Sequence, residues 1–533
     1  MRQVSKAHAS IARASLAQLC LFASAKYKEK TAFSMFSEGV ISKKVTYAQM
    51  GNRAQKIASL LKQIDIKNGD KVILISENCP QWAIAYFGIA LAGAVSVPLL
   101  TGFSNEQVEH LINHCSARAI CISCEMAEKF KDLLSLPALS NIPVINIENI
   151  IENENPATES NEKLNYCNQD PEELASIIYT SGTQGSSKGV MLSSKNLISS
   201  ALSSSTYVKI KPGDRLLSVL PLAHSYECGL GLIAAVINGA SITYLDRPPS
   251  SSVLLPAVQL IRPTIMIAVP LLIEKVYNNA IAPKLHNNKL YKFPLTRPLA
   301  ILVAGYKLKS ALGGKLRFFG IGGAPLSPQV EDFLYKAKFP YCIGYGLTET
   351  APLAAGNAPF KFKIGSGISA PKGVTIRVED GEIQVQGPNV MLGYYNDKER
   401  TSEVFTHDGW LRTGDLGWID KKGSLFIKGR LKALILGPSG ENIYPEEIEK
   451  LLGASSFVEE SLVYSGKRGE LVALVILSEA AKAAAGAIEH TLEELRTFVN
   501  KKLADFSRLS KIEIKNEPFE KTPTMKIKRY LYA

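Results

Sequence analysis

The sequence predicts an α/β fold in which a large body of mainly parallel sheet is followed by a strand-rich stretch and a small α+β unit. Three observations predict it. A chain of 533 residues is too long for one compact core, so at least two domains are expected. From about Val45 short apolar strands alternate with amphipathic helices. The pattern then changes character twice, near residues 374 and 430.

Taken in order, residues 1–27 hold no acid, carry Arg2, Lys6 and Arg13, and are mostly apolar from Leu16 to Ala25. They have the outline of an export signal, but Gln18 interrupts the apolar run, and an amphipathic opening helix is the better reading. A strand at 71–75, a helix at 81–92, a strand at 94–97, a helix at 105–114 and a strand at 119–122 follow. Residues 82–100 form an uncharged run long enough to span a bilayer. Gly88, Gly93 and Pro98 break it, so a helix followed by a buried strand is expected and no transmembrane helix. Residues 149–165 are acidic, Asn-rich and unpatterned, and read as a surface loop. A strand at 175–178 leads into a Gly/Ser/Thr loop with a helix expected after it. Further strands are expected at 216–220, 241–245, 265–269, 316–321 and 341–343. Residues 374–430 are rich in strands and turns, and 381–387 alternate with period two. Beyond Arg430 a helix at 445–452, strands at 458–464 and 471–477, a helix at 491–504 and a basic tail make the small α+β unit.

The net charge of +12 and pI near 9.1 suit anionic partners, whether nucleotide phosphates, an acidic membrane surface or an acidic carrier protein, although a lysine-rich proteome gives the same balance. No run alternates Arg with aromatics, so no nucleic-acid partner is expected. Eight dispersed cysteines do not make a disulfide scaffold and point to a reducing, cytosolic setting. His110, His114, Cys115, Cys121 and Cys124 are the one suggestive metal cluster. No second close pair completes it, and 119–122 reads as a buried strand, so no metal role is expected there.

The strongest chemical signal is Tyr179-Thr180-Ser181-Gly182-Thr183-Gln184-Gly185-Ser186-Ser187-Lys188-Gly189-Val190. Backbone N–H groups, hydroxyls and one ammonium in a flexible loop can reach phosphate oxygens, although the composition alone also suits a simple turn. Ser187 before Lys188 excludes a Walker loop. Further strings follow in order: Gly322-Gly323-Ala324-Pro325, Tyr345-Gly346-Leu347-Thr348-Glu349, Trp410-Leu411-Arg412-Thr413-Gly414-Asp415 and Gly429-Arg430-Leu431-Lys432. The last two are Gly440-Glu441-Asn442-Ile443-Tyr444-Pro445-Glu446-Glu447-Ile448-Glu449 and the tail Lys521-Thr522-Pro523-Thr524-Met525-Lys526-Ile527-Lys528-Arg529. Together they resemble the acyl-adenylate-forming superfamily over about residues 20–533. That superfamily includes acyl-CoA synthetases, luciferases and peptide-synthetase adenylation domains.

The resemblance implies ATP, Mg²⁺ and coenzyme A as the reactants beside a carboxylic acid. It implies that Thr180, Ser181, Gly182, Thr183 and Lys188 hold the β/γ-phosphates, with Gly323, Ala324, Pro325, Tyr345 and Gly346 on the adenine side. Asp415 would accept bonds from the ribose hydroxyls, Arg430 would brace the ribose, and Glu349 with Thr180 or Thr348 would hold Mg²⁺. Lys526 would touch the acyl carboxylate and α-phosphate; Met525 stands before it where the family usually has Gly. The resemblance divides the chain into 1–431 and a mobile 432–533, with the hinge at Lys432 and Gly440, Glu441 and Asn442 beside the thiol tunnel. Leu220-Pro221-Leu222-Ala223-His224-Ser225-Tyr226-Glu227 resembles the acyl-site segment of long-chain fatty acyl-CoA synthetases. It implies a long-chain fatty acid, with His224 near the reacting carbonyl and Cys228, where some relatives carry Trp, leaving the tunnel open. An acyl carrier protein as the thiol partner, or an idle lipid- or nucleotide-binding relative, are the alternatives. The apolar stretches 273–276, 299–306 and 360–362 with nearby lysines suit peripheral contact with the inner face of the cell membrane, or ordinary core.

Overall fold

Three helices open on the same short signal. Ser15, Thr46 and Ser104 each accept a hydrogen bond from the backbone N–H three residues on, while Gln18, Gln49 and Gln107 accept from the cap's own N–H. These reciprocal caps satisfy N–H groups a helix start would otherwise leave unpaired. The computed structural model describes residues 10–152, 169–180, 187–362, 364, 367–436, 441–455, 457–466, 470–478, 481–482, 488–522 and 527–532. The opening helix, Leu16–Lys26, buries Leu16, Leu19, Cys20 and Ala23 on one face and leaves Gln18 exposed, as its amphipathic pattern predicts.

Among the described residues two large mixed sheets form the body. One runs Gly393–Tyr394, Lys188–Ser193, Leu174–Thr180, Val95–Leu99, Lys71–Ile75, Ala119–Ile122 and Val144–Asn146. The other runs Ala355–Gly356, Tyr341–Tyr345, Phe318–Ile321, Ile265–Ala268, Arg215–Leu217, Ser241–Leu245, Thr31–Ser37 and Val40–Thr46. In the second sheet the two edge pairs are antiparallel and the interior pairs parallel; in the first, Gly393–Tyr394, Lys188–Ser193 and Leu174–Thr180 pair antiparallel and the rest pair parallel, out to the edge strand Val144–Asn146. The long uncharged run resolves into the helix Pro80–Leu91, buried along its whole length, and the strand Val95–Leu99. No helix among the described residues is long and apolar enough to cross a membrane.

Several expectations need correction. A strand rather than a helix follows the Gly/Ser/Thr loop: Lys188–Ser193 returns antiparallel to Leu174–Thr180, burying Val190 and Leu192, and helix Ser194–Ser203 starts only after it. Cross-strand pairing outweighs local helix preference there. Residues 149–152 are not loop but the end of helix Ile147–Glu152. The antiparallel pair Thr31–Ser37 and Val40–Thr46 escapes the sequence reading because its partner, Ser241–Leu245, lies some 200 residues away.

Residues 375–430 form the four-stranded antiparallel sheet Thr375–Glu379, Glu382–Gln386, Leu411–Ile419 and Leu425–Arg430, with an unanticipated helix at Lys398–Val404. Helices Pro445–Leu452 and Ile488–Asn500 then pack on strands Val458–Ser465, Leu471–Leu477 and Lys511–Ile514 around Ile448, Leu452, Val475 and Val499. The last strand pairs parallel to Leu471–Leu477 inside what reads as a basic tail.

Candidate functional site

A cleft of about 2720 Å³ opens at the carboxyl ends of the parallel strands Ile265–Ala268, Phe318–Ile321 and Tyr341–Tyr345, the usual ligand position in α/β sheets. The four-stranded sheet and residues 446–465 supply its other walls. Gly322-Gly323-Ala324-Pro325 leaves the end of its strand along this wall, and Gly323 takes φ +86°, a conformation that favours glycine. Gly346 is required for a different reason. A Cβ there would lie 1.6 Å from the Pro352 carbonyl oxygen.

Register builds the next cluster. Asp415 and Arg430 are direct partners on antiparallel strands, and Arg430 Nε lies 3.2 Å from Asp415 Oδ1. Tyr345 Oη donates to Asp415 Oδ2 at 2.7 Å. Burial, and then the Asp415 carboxylate, hold the Tyr345 phenol well above its ordinary range, so it stays a donor. Asp415 is only 5% exposed and lines the cleft, so an acceptor-only side chain is held with its partners on one side. Glu446 closes this corner: burial raises its carboxyl while Arg529 and Arg430 lower it, and a Cβ on Gly429 would come within 2.9 Å of its Oε2.

Across the cleft, Thr180 and Lys188 are opposite one another on paired strands. The Lys188 ammonium sits 4.7 Å from the centre of the Tyr394 ring, whose hydroxyl donates to Glu349 Oε1 at 2.9 Å. Burial and then the Lys432 ammonium push the Lys188 pKa down, and Glu349 pulls it up. Cations crowding one another around polar space are poised for an anion. Thr348 Oγ1 lies 3.3 Å from Ser225 Oγ beside them.

His224 also lines the cleft, and its Nδ1 accepts from the Tyr226 backbone N–H at 3.2 Å. Val219, Leu220, Leu230, Ile265, Ile267 and Phe318 give the same lining an apolar part. Cys228 is not on this lining. It is fully buried in the π-helical segment Glu227–Ile233, so it does not border the cleft.

The cleft therefore joins Thr180, Lys188, His224, Gly323, Ala324, Pro325, Tyr345, Gly346, Thr348, Glu349, Asp415, Arg430 and Lys432. Ser181, Gly182, Thr183, Gly440 and Lys526 lie outside the described residues, as does the Asn442 side chain; Thr522, Ile527, Lys528 and Arg529 line the cleft on either side of 523–526. Glu441 does not line it. Tyr394 escapes sequence reasoning, and Ser225 and Glu446, which stand inside the quoted strings, receive no role there, because each acts through a partner remote in the chain; the Gly393-Tyr394-Tyr395 string, with Gly393 at φ +137°, is a local sign of the first. The suspected cysteine cluster disperses: Cys115 and Cys121 are buried, Cys124 is exposed, and the His114 Nδ1 lies 2.7 Å from Tyr179 Oη. The donor set in the cleft, one carboxylate with hydroxyls beside it, fits a magnesium ion that takes its remaining ligands from phosphates and water.

Residues 22–395 match the family described as AMP-binding enzyme. The chain is similar to the long-chain-fatty-acid–CoA ligase FadD15 of Mycobacterium bovis, 29% identical over 92% of this chain and 90% of that one. It is also similar to 4-coumarate–CoA ligase 3 of Oryza sativa, 27% identical over 92% and 87%. Its fold is that of ATP-bound MatB from Rhodopseudomonas palustris, with a TM-score of 0.78 at 24% identity over 97% of this chain and 98% of that one. A match over residues 22–395, together with these likenesses, means that the chain belongs to the AMP-binding enzyme family, the superfamily of AMP-forming acid–CoA ligases.

Proposed function

We propose that the chain activates a long-chain fatty acid with ATP and transfers the acyl group to coenzyme A. The observation that carries this reading is that one cleft lining holds the apolar side chains Val219, Leu220, Leu230, Ile265, Ile267 and Phe318 together with His224 and the Lys188–Glu349 and Tyr345–Asp415–Arg430 clusters. A carboxylate oxygen attacks the α-phosphorus, the bond to the β-phosphate oxygen breaks, and pyrophosphate leaves. The thiol sulfur then attacks the acyl carbon, the bond to AMP breaks, and the thiol proton goes to solvent. Two anions meet in the first step, so the work of the site is positioning and charge neutralisation.

Lys188, with Thr180, Ser181, Gly182 and Thr183, holds the β/γ-phosphates; Lys526 neutralises the carboxylate and α-phosphate. Tyr345, with Gly346 and the turn Gly323-Ala324-Pro325, faces adenine. Asp415 accepts from the ribose hydroxyls while Arg430 steadies it, and His224 stands near the acyl carbon. Glu349, with Thr180 or Thr348, would hold Mg²⁺, which offsets phosphate charge when bound. Residues 1–431 act as the fixed body and 432–533 as a unit turning about Lys432. The turn exchanges Lys526 for Gly440, Glu441 and Asn442 beside the thiol. The setting is cytoplasmic, where ATP and coenzyme A are supplied.

Pyrophosphate release with acetate, octanoate, palmitate, oleate and 4-coumarate, each with and without coenzyme A or acyl carrier protein, tests the proposal. Turnover of palmitate and oleate that needs coenzyme A, and falls at least about 100-fold in Lys526→Ala, is expected. Preference for 4-coumarate or acetate overturns the acid, and a requirement for carrier protein overturns the thiol.

A further inference from the structure

The helix Arg297–Ala311 is apolar on both faces. Ala300, Ile301, Gly305 and Leu308 are buried against the body, yet Leu299, Leu302, Val303 and Tyr306 form a second stripe at helical spacing that faces solvent. A helix apolar all round is ordinarily covered on every side. The turn before it adds Phe293 at 66% and Leu295 at 96% exposed, tied to the helix start by hydrogen bonds from Thr296 Oγ1 to the Leu290 carbonyl and from Arg297 Nε to the Tyr291 carbonyl. Isolated exposed leucines are ordinary; a contiguous stripe of six apolar side chains is not.

Charge identifies what covers it. Residues 275–330 contain nine lysines and arginines and not one aspartate or glutamate. Lys284, Lys289, Lys292 and Lys307 are exposed around the apolar stripe, without an ion-pair partner among the described residues. A second copy of this face would bring like charges together, which disfavours self-association. An apolar stripe flanked by exposed lysines matches the boundary of an anionic bilayer, with side chains among the acyl tails and ammoniums at the phosphates.

The face also adjoins the cleft. Lys275, Asn279, Pro283 and His286 line it, and two residues separate His286 from the helix Lys289–Lys292. We propose that residues 289–306 dock the protein on an anionic lipid surface, bringing the part of the cleft lined by Pro283 and His286 close to the bilayer. The delivery of acid from the bilayer rests on the proposed fatty-acid reading; the docking does not.

Nucleotide-free full-length protein is mixed with vesicles of phosphatidylcholine alone or with 30% phosphatidylglycerol, and bound protein is measured by flotation. Binding to the anionic vesicles that weakens from 0.05 to 0.5 M salt is expected. The triple change Lys289→Gln, Lys292→Gln and Lys307→Gln should weaken it about 100-fold, near fivefold per lysine. Phe293→Ser with Leu295→Ser should weaken it to a similar degree, and Lys131→Gln, next to Phe130 in the core of the other large sheet, should not. Circular dichroism melts check that each variant is folded. Failure of the wild type to float, equal binding to neutral vesicles, or dimerisation through the same residues without lipid would each overturn the docking. Octanoate activation, from solution, should be unchanged in the surface variants while activation of vesicle-borne palmitate falls. Floating protein that activates no fatty acid would leave the docking standing and overturn the fatty-acid reading instead.

Discussion

Replacing Glu227 by glutamine removes the one carboxyl that the fold buries beneath the acyl-side segment. Glu227 is 2% exposed, and its Oε2 has no hydrogen-bond partner among the described residues. Gly231 makes its room, since a Cβ there would lie 2.6 Å from Oε1. Burial pushes its pKa from 4.5 to about 8, opposed only by the Ser218 hydroxyl. Between those values the native state holds a proton that the unfolded chain has lost, so stability falls as pH rises through that window. The gap of about 3.5 pH units corresponds to about 5 kcal/mol at its limit, and to about 3–4 kcal/mol between pH 5 and pH 8. Glutamine mimics the neutral acid and carries no such slope. Glu227→Gln should therefore be near wild type at pH 5 and about 3–4 kcal/mol more stable at pH 8. For a cooperative unit of about 400 residues that is a rise of about 4 °C in Tm. Thermal melts followed by far-UV circular dichroism at pH 5, 6, 7 and 8 measure the difference. A gap that stays constant across that range would mean the carboxyl is already ionised in the fold, and would refute the reasoning.

Gly346→Ala should lower kcat/KM at least about 100-fold, because a Cβ 1.6 Å from the Pro352 carbonyl oxygen forces the segment carrying Tyr345 and Glu349 to move; pyrophosphate release measures it. Asp415→Asn should raise the KM for ATP more than tenfold and abolish the preference for ATP over its 2′,3′-dideoxy analogue, whereas equal use of the two nucleotides by the wild type would remove the ribose role. Because burial and Lys432 depress the Lys188 pKa, ATP affinity should begin to fall at a lower pH than an ordinary lysine allows, and Lys188→Arg should flatten that profile in equilibrium dialysis.

Much of this protein was legible in the residues alone. The alternation of strand and helix, the helix caps and the ordered strings around Lys188, Tyr345, Asp415 and Arg430 rest on local chemistry. Backbone preference, glycine and capping act within a few residues, so one sequence displays them. They sufficed for the α/β class and for the change of character near residue 374, whereas the residues expected at the site came from the family resemblance that the ordered strings carry.

What only the tertiary structure decided depends on distance in the chain. Tyr394 meets Glu349 and Lys188, and Glu446 meets Gly429 and the Asp415–Arg430 pair, because strands far apart in sequence are neighbours in space. Cross-strand pairing made a strand of Lys188–Ser193 where local pattern favours a helix, and packing turned Cys228 away from the cleft and sealed Glu227 without a full set of partners. The apolar residues of Arg297–Ala311 divide the same way: their spacing is written in the sequence, but which stripe packs inward and which faces water follows from the surface the rest of the chain presents.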